Sequence, residues 1–208
     1  MKKIVIIITF LLFLTTGCKQ YNDLNELAII KSIGIDKKDE YTLYAEIIEK
    51  IDKDNNPQTK IIETNGKTMD DLFTNIKTLV NKEIYLSHID LIILSDSLKN
   101  EDYKKIINYF LNHKEFRNDF LCVMSSEIKN VLEKSQYDEI EKLIMTNKES
   151  KTIIKINFEE IIKNFLDNKK FIISKVIYDQ DEIKFIGNYE YFNNKLERIE
   201  DEKAKNRT

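Results

Sequence analysis

Glycine, proline and histidine are scarce in this 208-residue chain, and tryptophan is absent. The four glycines are spread along the sequence, so they form no glycine-rich phosphate-binding loop, no dinucleotide-binding fingerprint and no nucleophile elbow. The two histidines, His88 and His113, belong to no His-Glu-x-x-His motif and to no cysteine–histidine ligand cluster. We therefore expect a protein that is not an enzyme and that holds no metal ion and no cofactor.

Other groups that resemble catalytic residues have simpler explanations. His88 stands between Ser87 and Asp90, but adjacent side chains on a strand point to opposite faces, so we interpret it as a hydrogen-bonded histidine that opens a strand. His113 follows a helical stripe and is interpreted as a cation at a helix C-terminus. The acidic pair Glu159–Glu160 falls in the first turn of a predicted helix, where the helix dipole favours negative charge.

The first seventeen residues have the layout of a secretory signal. Lys2 and Lys3 form a positive start, and Ile4 to Leu14 form a largely apolar run of eleven residues. As a helix this run would be about 16 Å long, roughly half the thickness of a hydrocarbon core. A permanent transmembrane helix is therefore the weaker interpretation, and we predict a signal peptide over residues 1–17.

Cysteine is rare as well, and one of the two cysteines stands directly after this signal. The segment Leu14-Thr15-Thr16-Gly17-Cys18 resembles a bacterial lipobox, in which the cysteine thiol receives a diacylglycerol and becomes the new N-terminus. Two or three acyl chains, such as palmitate, anchor a protein stably to a membrane. We predict lipid attachment at Cys18 and a position on the extracytoplasmic face of the membrane. The alternative is a plain signal peptide followed by a free thiol.

The second cysteine and the net charge bear on two further questions: whether the chain has a disulfide and whether it binds nucleic acid. Cys122 has no disulfide partner if Cys18 is acylated, and its apolar surroundings predict a buried structural thiol. Removal of residues 1–17 takes away two lysines and no acidic residue, so the net charge moves from −3 to −5. An acidic mature chain is a poor candidate for binding nucleic acid or for broad attraction to anionic lipid headgroups, so we expect no nucleic-acid partner.

Apolar periodicity predicts a mixed α/β (α+β) fold, with helices packed on a mixed sheet and a smaller α/β segment after it. Strands are predicted at 27–36, 41–51, 60–64, 85–94, 120–124, 171–178 and 182–189, with a last strand after a turn at Asn193-Asn194. Helices are predicted at 68–80, 102–112, 127–134 and 157–168, with a short helix within 137–150. The expected organisation is a signal peptide (1–17), a membrane-proximal spacer (18–26), a first α/β domain (27–135), a second small α/β domain (136–199) and a disordered tail (200–208).

Several short motifs follow one another in a characteristic order. The list comprises Asn25-Glu-Leu-Ala28, Ile33-Gly-Ile-Asp36, Gly66-Lys-Thr68, Ser87-His88, Phe110-Leu-Asn-His-Lys-Glu-Phe-Arg117, Val131-Leu132 and the segment Phe185 to Leu196. In this order, and behind a lipobox, they resemble the Ger(x)C family of spore germination lipoproteins, the C subunits of nutrient germinant receptors. Lys19, Gln20 and Asn22 stand where the family has tryptophan, aspartate and a basic residue. Typical members also continue into a C-terminal α/β domain, which we expect this chain to lack.

The resemblance implies a non-catalytic lipoprotein subunit that binds integral membrane receptor subunits in nutrient-triggered germination. Its location would be the spore inner membrane if the organism sporulates. The eight residues between Cys18 and the first strand reach at most about 28 Å, so we expect membrane-side contacts there, with a weaker second candidate further along the chain. The candidate partner-binding residues are Asn22, Asp23, Asn25, Glu26 and Arg117. The alternative function is a standalone extracytoplasmic lipoprotein that captures a small ligand, for which an enclosed pocket with convergent polar groups would be the sign.

Overall fold

The computed structural model describes residues 27–51, 57–134, 137–148, 153–193 and 195–200, which form ten strands and five helices. The strands are β1 (Leu27–Lys37), β2 (Tyr41–Ile51), β3 (Pro57–Gly66), β4 (Glu83–Tyr85), β5 (Leu91–Ser95), β6 (Leu121–Ser125), β7 (Ile156–Asn157), β8 (Phe171–Asp179), β9 (Glu182–Phe192) and β10 (Lys195–Ile199). The helices are α1 (Met69–Leu79), α2 (Asn100–Asn112), α3 (Ile128–Lys134), α4 (Tyr137–Lys148) and α5 (Phe158–Leu166).

All ten strands belong to one mixed sheet, and β1 lies near its centre. The main order is β10-β9-β8-β6-β5-β1-β2-β3, with β4 paired to β1 and β7 paired to β6. Strand β1 runs antiparallel to β2 and parallel to β4 and β5. Strand β6 lies between β5 and β8 and is parallel to both. The predicted mixed α+β fold is confirmed. Both predicted α/β segments contribute strands to the sheet, and their division into two domains stays a prediction.

Helices cover both faces of the sheet, which explains why the central strands are apolar throughout. Helices α1, α2 and α5 pack on one face, and α3 and α4 pack on the other. Successive residues of β5 alternate between these two cores: Ile92 and Leu94 face the first, and Leu91 and Ile93 face the second. A strand buried on both faces loses the alternation of polar and apolar residues. The nearly continuous apolar run of β5 has this cause.

Helix α1 begins where the sequence predicts it. Thr68 is the N-cap: its hydroxyl accepts a hydrogen bond from the Asp71 backbone N–H at 3.1 Å, and the Asp71 carboxylate accepts one from the Thr68 backbone N–H at 2.9 Å. This reciprocal capping box satisfies two backbone donors that an open helix end leaves unpaired. Thr68 is also the residue at which the sequence predicts this helix to begin.

Asp102 fixes the start of α2 to the turn between β1 and β2. Its side chain is 6% exposed and accepts hydrogen bonds from the Tyr41 hydroxyl and the Lys37 ammonium, each at 2.6 Å. Its second carboxylate oxygen accepts the Lys99 backbone N–H at 2.9 Å. Burial alone would raise the pKa of Asp102, but these three donors outweigh burial and hold the pKa below its ordinary value.

Gly34 is the point of closest approach between β1 and α3. A Cβ atom added at Gly34 would lie 2.1 Å from Cγ2 of Ile128 and 3.4 Å from Cδ1 of Leu132. Ile128 and Leu132 are themselves buried in the core of this face. The glycine of the Ile33-Gly-Ile-Asp36 motif is therefore required here by helix packing against the strand.

One predicted strand is interrupted. The apolar stretch from Tyr85 to Leu94 was expected to form a single strand, but β4 ends at Tyr85 and β5 begins at Leu91. Between them the chain turns, Asp90 donates its backbone N–H to the Lys31 carbonyl at 2.9 Å, and Leu86 and Ile89 are buried without being in a strand. His88 is exposed in this turn and lies beside the Tyr85 ring, so its predicted place in a strand is wrong.

Other boundaries move by a few residues. Strand β3 starts at Pro57 rather than at residue 60, α2 starts at Asn100 rather than at 102, and α5 ends at Leu166 rather than at 168. His113 is the C-cap of α2, at the helix end where the sequence places it. The predicted signal peptide (1–17), spacer (18–26) and all but the first residue of the predicted tail (200–208) lie outside the described residues. Within the described part of the chain, no helix is both long and apolar enough to cross a bilayer.

Cys122 should be chemically quiet in the folded protein. It is a free thiol in β6 that is 1% exposed, and burial raises its pKa well above the ordinary value. In a Cys18→Ser variant, which leaves one thiol, we expect labelling by a maleimide to be about a thousandfold slower than in denaturant, because exposure requires unfolding. Fast labelling without denaturant would contradict the burial of β6.

Candidate partner-binding site

Arg117 lies in the short connection between α2 and β6, and the residues around it hold this connection in place. Phe116 is 5% exposed and packs its ring on Phe110 of α2, with ring centroids 4.6 Å apart. The next residue, Arg117, points outward with a side chain that is 62% exposed. The motif from Phe110 to Arg117 therefore combines two aromatic anchors in the core with one cation at the surface.

Arg117 forms an exposed ion pair with Asp119. A guanidinium nitrogen of Arg117 lies 2.6 Å from a carboxylate oxygen of Asp119, whose side chain is 47% exposed. Asn118 between them has a φ of 61°, a left-handed conformation that asparagine tolerates better than most residues and that turns the chain sharply. Exposed pairs contribute little to folding stability, so both charges remain available to a partner.

A small cleft opens beside this pair at the end of the sheet where β5 and β6 begin. It has a volume of about 150 Å³, and Phe120 and Leu121 are among the apolar residues that line it. Its polar lining comes from four separate segments: Asp90, Arg117, Asp119, Glu141, Lys155 and Asn157. Charges of both signs therefore line one concave surface. Such a surface is complementary to a partner protein whose own surface is charged and polar.

Backbone hydrogen bonds join three of the four segments that line the cleft. Leu121 donates its N–H to the Asp90 carbonyl at 2.8 Å, and Phe158 donates to the Phe120 carbonyl at 2.9 Å. Glu159 donates to the Asn118 carbonyl at 2.8 Å. Because main-chain bonds hold these three segments together, this part of the cleft should keep its shape when an exposed side chain is changed.

The cleft lies on the side of the sheet from which β1 starts. The Asp90 carboxylate pairs with the ammonium of Lys31, a residue in the first half of β1. Five of the predicted site residues lie outside the described residues, on the chain that leads into Leu27. They are Cys18, Asn22, Asp23, Asn25 and Glu26. Of the predicted site residues, Arg117 is therefore the one that lies within the described part of the chain.

Sequence patterns gave no sign of the other members of the cleft. Asp90, Glu141 and Lys155 come from parts of the chain that are distant in sequence. Sheet pairing brings Asp90 and Lys155 to the end of the sheet where β5 and β6 begin, and helix α4 carries Glu141. In the described ranges, no three side chains of histidine, cysteine, aspartate or glutamate are grouped so that they could hold a metal ion. The arrangement is suited to recognition of a polar surface by charge and shape.

A wider cleft of about 580 Å³ lies between the start of α2, the end of α5 and the end of β9. Asn100, Lys104, Leu166 and Tyr191 are among its lining residues. The Tyr191 hydroxyl donates a hydrogen bond to the Asn100 side-chain oxygen at 2.8 Å. This cleft is open to solvent rather than enclosed, so it gives the small-ligand alternative no specific support.

Comparison with known proteins identifies the family. The family described as "Spore germination protein N-terminal domain" matches residues 20–178. Spore germination protein KC of Bacillus subtilis (strain 168) is 21% identical over 173 residues, covering 73% of this chain and 42% of that protein. The chain therefore spans less than half the length of this curated relative. The crystal structure of the GerBC protein is similar with a TM-score of 0.44 and 16% identity, over 88% of this chain and 56% of that chain. Because the family match covers well over half of its residues, this chain belongs to the Ger(x)C family of spore germination proteins.

Proposed function

We propose that this chain is a membrane-anchored, non-catalytic subunit of a spore germinant receptor and that it acts by binding integral membrane subunits. Family membership supports a role in germination. The observation that carries the binding role is the exposed, charged Arg117 cleft, built on a rigid frame at the side of the sheet where β1 begins. The protein would sit on the extracytoplasmic face of the membrane, which is the spore inner membrane in a sporulating organism.

A short tether would keep this cleft close to membrane partners. Eight residues separate Cys18 from Leu27, and even fully extended they reach at most about 28 Å. A body tethered at this distance is present at high effective concentration beside any integral membrane subunit. Modest contacts at Arg117 and at Asn22, Asp23, Asn25 and Glu26 are then sufficient for assembly.

Loss of the lipid anchor is the first test of this proposal. With Cys18 changed to alanine, we expect the chain to leave the membrane fraction or to remain as the uncleaved precursor, because no thiol is present to accept the diacylglycerol. Membrane fractionation and the intact mass of the wild-type chain measure this. A mature wild-type chain with an unmodified Cys18 would refute the anchor.

Charge reversal tests the partner-binding surface. Changing Arg117 to glutamate, or Asp23 and Glu26 together to lysine, should weaken co-purification with the membrane subunits by about tenfold, because like charges then meet across the contact. The melting temperature should stay unchanged, since exposed charges contribute little to stability.

Lys169 offers a matched control for Arg117. Its side chain is 63% exposed, and it pairs at 2.8 Å with Asp167, again two residues away, but it follows α5 and does not line the Arg117 cleft. The Lys169→Glu variant should assemble like the wild type. If the Arg117→Glu variant also assembles normally, Arg117 is not part of the contact.

A further inference from the structure

An apolar groove of about 290 Å³ lies beside the start of β1, between the end of α1 and strands β1 to β3. Ala28, Ile47 and Ile62 are buried residues that line it. Leu79 forms one of its walls with a side chain that is 57% exposed, although most apolar side chains of this size are buried in the core. The groove is distinct from the Arg117 cleft.

Leu79 is exposed because the apolar stripe of α1 continues past the sheet. Leu72 and Ile76 on this stripe are fully buried, and Leu79 follows three residues later on the same face of the helix. Val80, which ends the helix, is partly buried against the core and also lines the groove. The apolar stripe of α1 therefore extends past the part of the sheet that the helix covers.

Polar groups typical of a membrane interface surround this groove. Lys60 and Lys82 line the groove, and Lys77 lies in the last turn of α1. Glu83, which follows Lys82 in the chain, adds one acidic group nearby. Strand β4, which pairs with the first residues of β1, ends in Tyr85, whose side chain is 39% exposed. Lysines attract anionic headgroups, and tyrosine favours the boundary between water and lipid.

The short chain between Cys18 and the start of β1 indicates which partner the groove faces. Ala28 lines the groove and is the second residue of β1, so the groove lies where the chain from Cys18 enters the fold. The reach of that chain, about 28 Å, is smaller than the roughly 40 Å diameter of a body of this size. The end of the sheet that carries the groove is therefore the end that an anchor at Cys18 holds against the bilayer.

We propose that the groove beside Leu79 and its lysine rim dock into the headgroup layer of the membrane and so orient the anchored protein. This inference rests on the lipid anchor at Cys18 proposed above. A lipid surface fits better than a protein here, because a stable protein interface buries about 800 Å² on each partner and this patch presents only a few apolar side chains. Next to an anchor, a few inserted side chains suffice to set orientation.

Site-specific photo-crosslinking tests the docking. The full chain, with a diazirine-bearing amino acid in place of Leu79, is produced in a bacterium with a membrane that contains phosphatidylglycerol, and the membranes are irradiated. Leu166 provides the matched control position: it is 55% exposed and lines the wide cleft at the end of α5. We expect phospholipid adducts at position 79 at several times the yield at position 166, detected by mass spectrometry.

The remaining outcomes would overturn the docking. Adducts at position 79 to another protein would identify a partner subunit as the occupant, and adducts to residues 19–26 would identify the spacer of this chain. Equal lipid yields at positions 79 and 166 would show an anchored body without preferred orientation. The mass of the mature N-terminal peptide is measured on the same sample, so absence of the lipid on Cys18, which refutes the anchor, is distinguished from failure of the groove to dock.

Discussion

Replacement of Asp102 by alanine is expected to lower the free energy of unfolding by about 3 kcal/mol. The variant leaves the Tyr41 hydroxyl and the Lys99 backbone N–H without their acceptor, and Tyr41 is only 1% exposed. It also leaves the Lys37 ammonium without the carboxylate with which it forms an ion pair. Urea denaturation followed by circular dichroism measures the change. Glu101→Ala, an exposed acid in the same helical turn, is the control and should change stability by less than about 0.5 kcal/mol.

The same carboxylate gives stability a defined dependence on pH. Because the folded-state pKa of Asp102 lies below its ordinary value, its contribution is fully present above the unfolded-state pKa of about 3.9 and is lost as pH falls through the folded-state pKa. The difference in stability between the wild type and Asp102→Ala should therefore narrow below about pH 4. A difference that stays constant down to pH 2 would show that the charge on Asp102 contributes nothing.

Substitution of Gly34 by alanine is expected to destabilise the protein by about 3 kcal/mol, since the added methyl group overlaps Ile128 in a packed core. The overlap is with the Cγ2 methyl group of a β-branched residue on a helix, where χ1 is restricted. Relief therefore requires an unfavourable rotamer of Ile128 or a movement of α3 away from β1. Thermal unfolding of the variant should show a clearly lower melting temperature. Wild-type stability in Gly34→Ala would mean that α3 does not lie on β1 at this residue.

A double-variant cycle separates this clash from any other effect of the alanine. Ile128→Ala alone removes the Cγ2 atom and should cost about 3 kcal/mol through the cavity that it leaves. In the Gly34→Ala, Ile128→Ala pair, the new methyl group partly fills that space. The combined cost should therefore be at least about 1 kcal/mol less than the sum of the single costs. Strict additivity would contradict direct contact between these positions.

Local patterns predicted most elements because the signals for them are local. The Thr68 cap of α1 depends on residues three positions apart, and the apolar stripe of α2 repeats along one helix face. The interruption between Tyr85 and Leu91 was missed because Leu86 and Ile89 are buried in the core although they are not in a strand. Apolar sequence alone does not distinguish a buried turn from a strand.

The candidate site was harder to predict than the fold. Arg117 was identified through a motif, and its exposure agrees with a surface role. Asp90 and Lys155 join it because the chain before β5 and the chain before β7 meet beside the start of β6, and Glu141 joins it from α4, which packs on one face of the sheet. That meeting depends on strand order, which no short sequence pattern encodes. The apolar groove at Leu79 was missed for a similar reason, since the stripe of α1 does not reveal where the sheet beneath it ends.

The central position of β1 also determines how the fold bears mechanical force. β1 is hydrogen-bonded along both edges, to β2 on one side and to β4 and β5 on the other. Inter-strand hydrogen bonds lie across the strand direction. A pull from the N-terminus along β1 therefore strains many of them together in shear, whereas a pull that peels an edge strand such as β3 or β10 breaks them one after another. A tether that enters through β1 holds the protein by a mechanically strong part of its sheet.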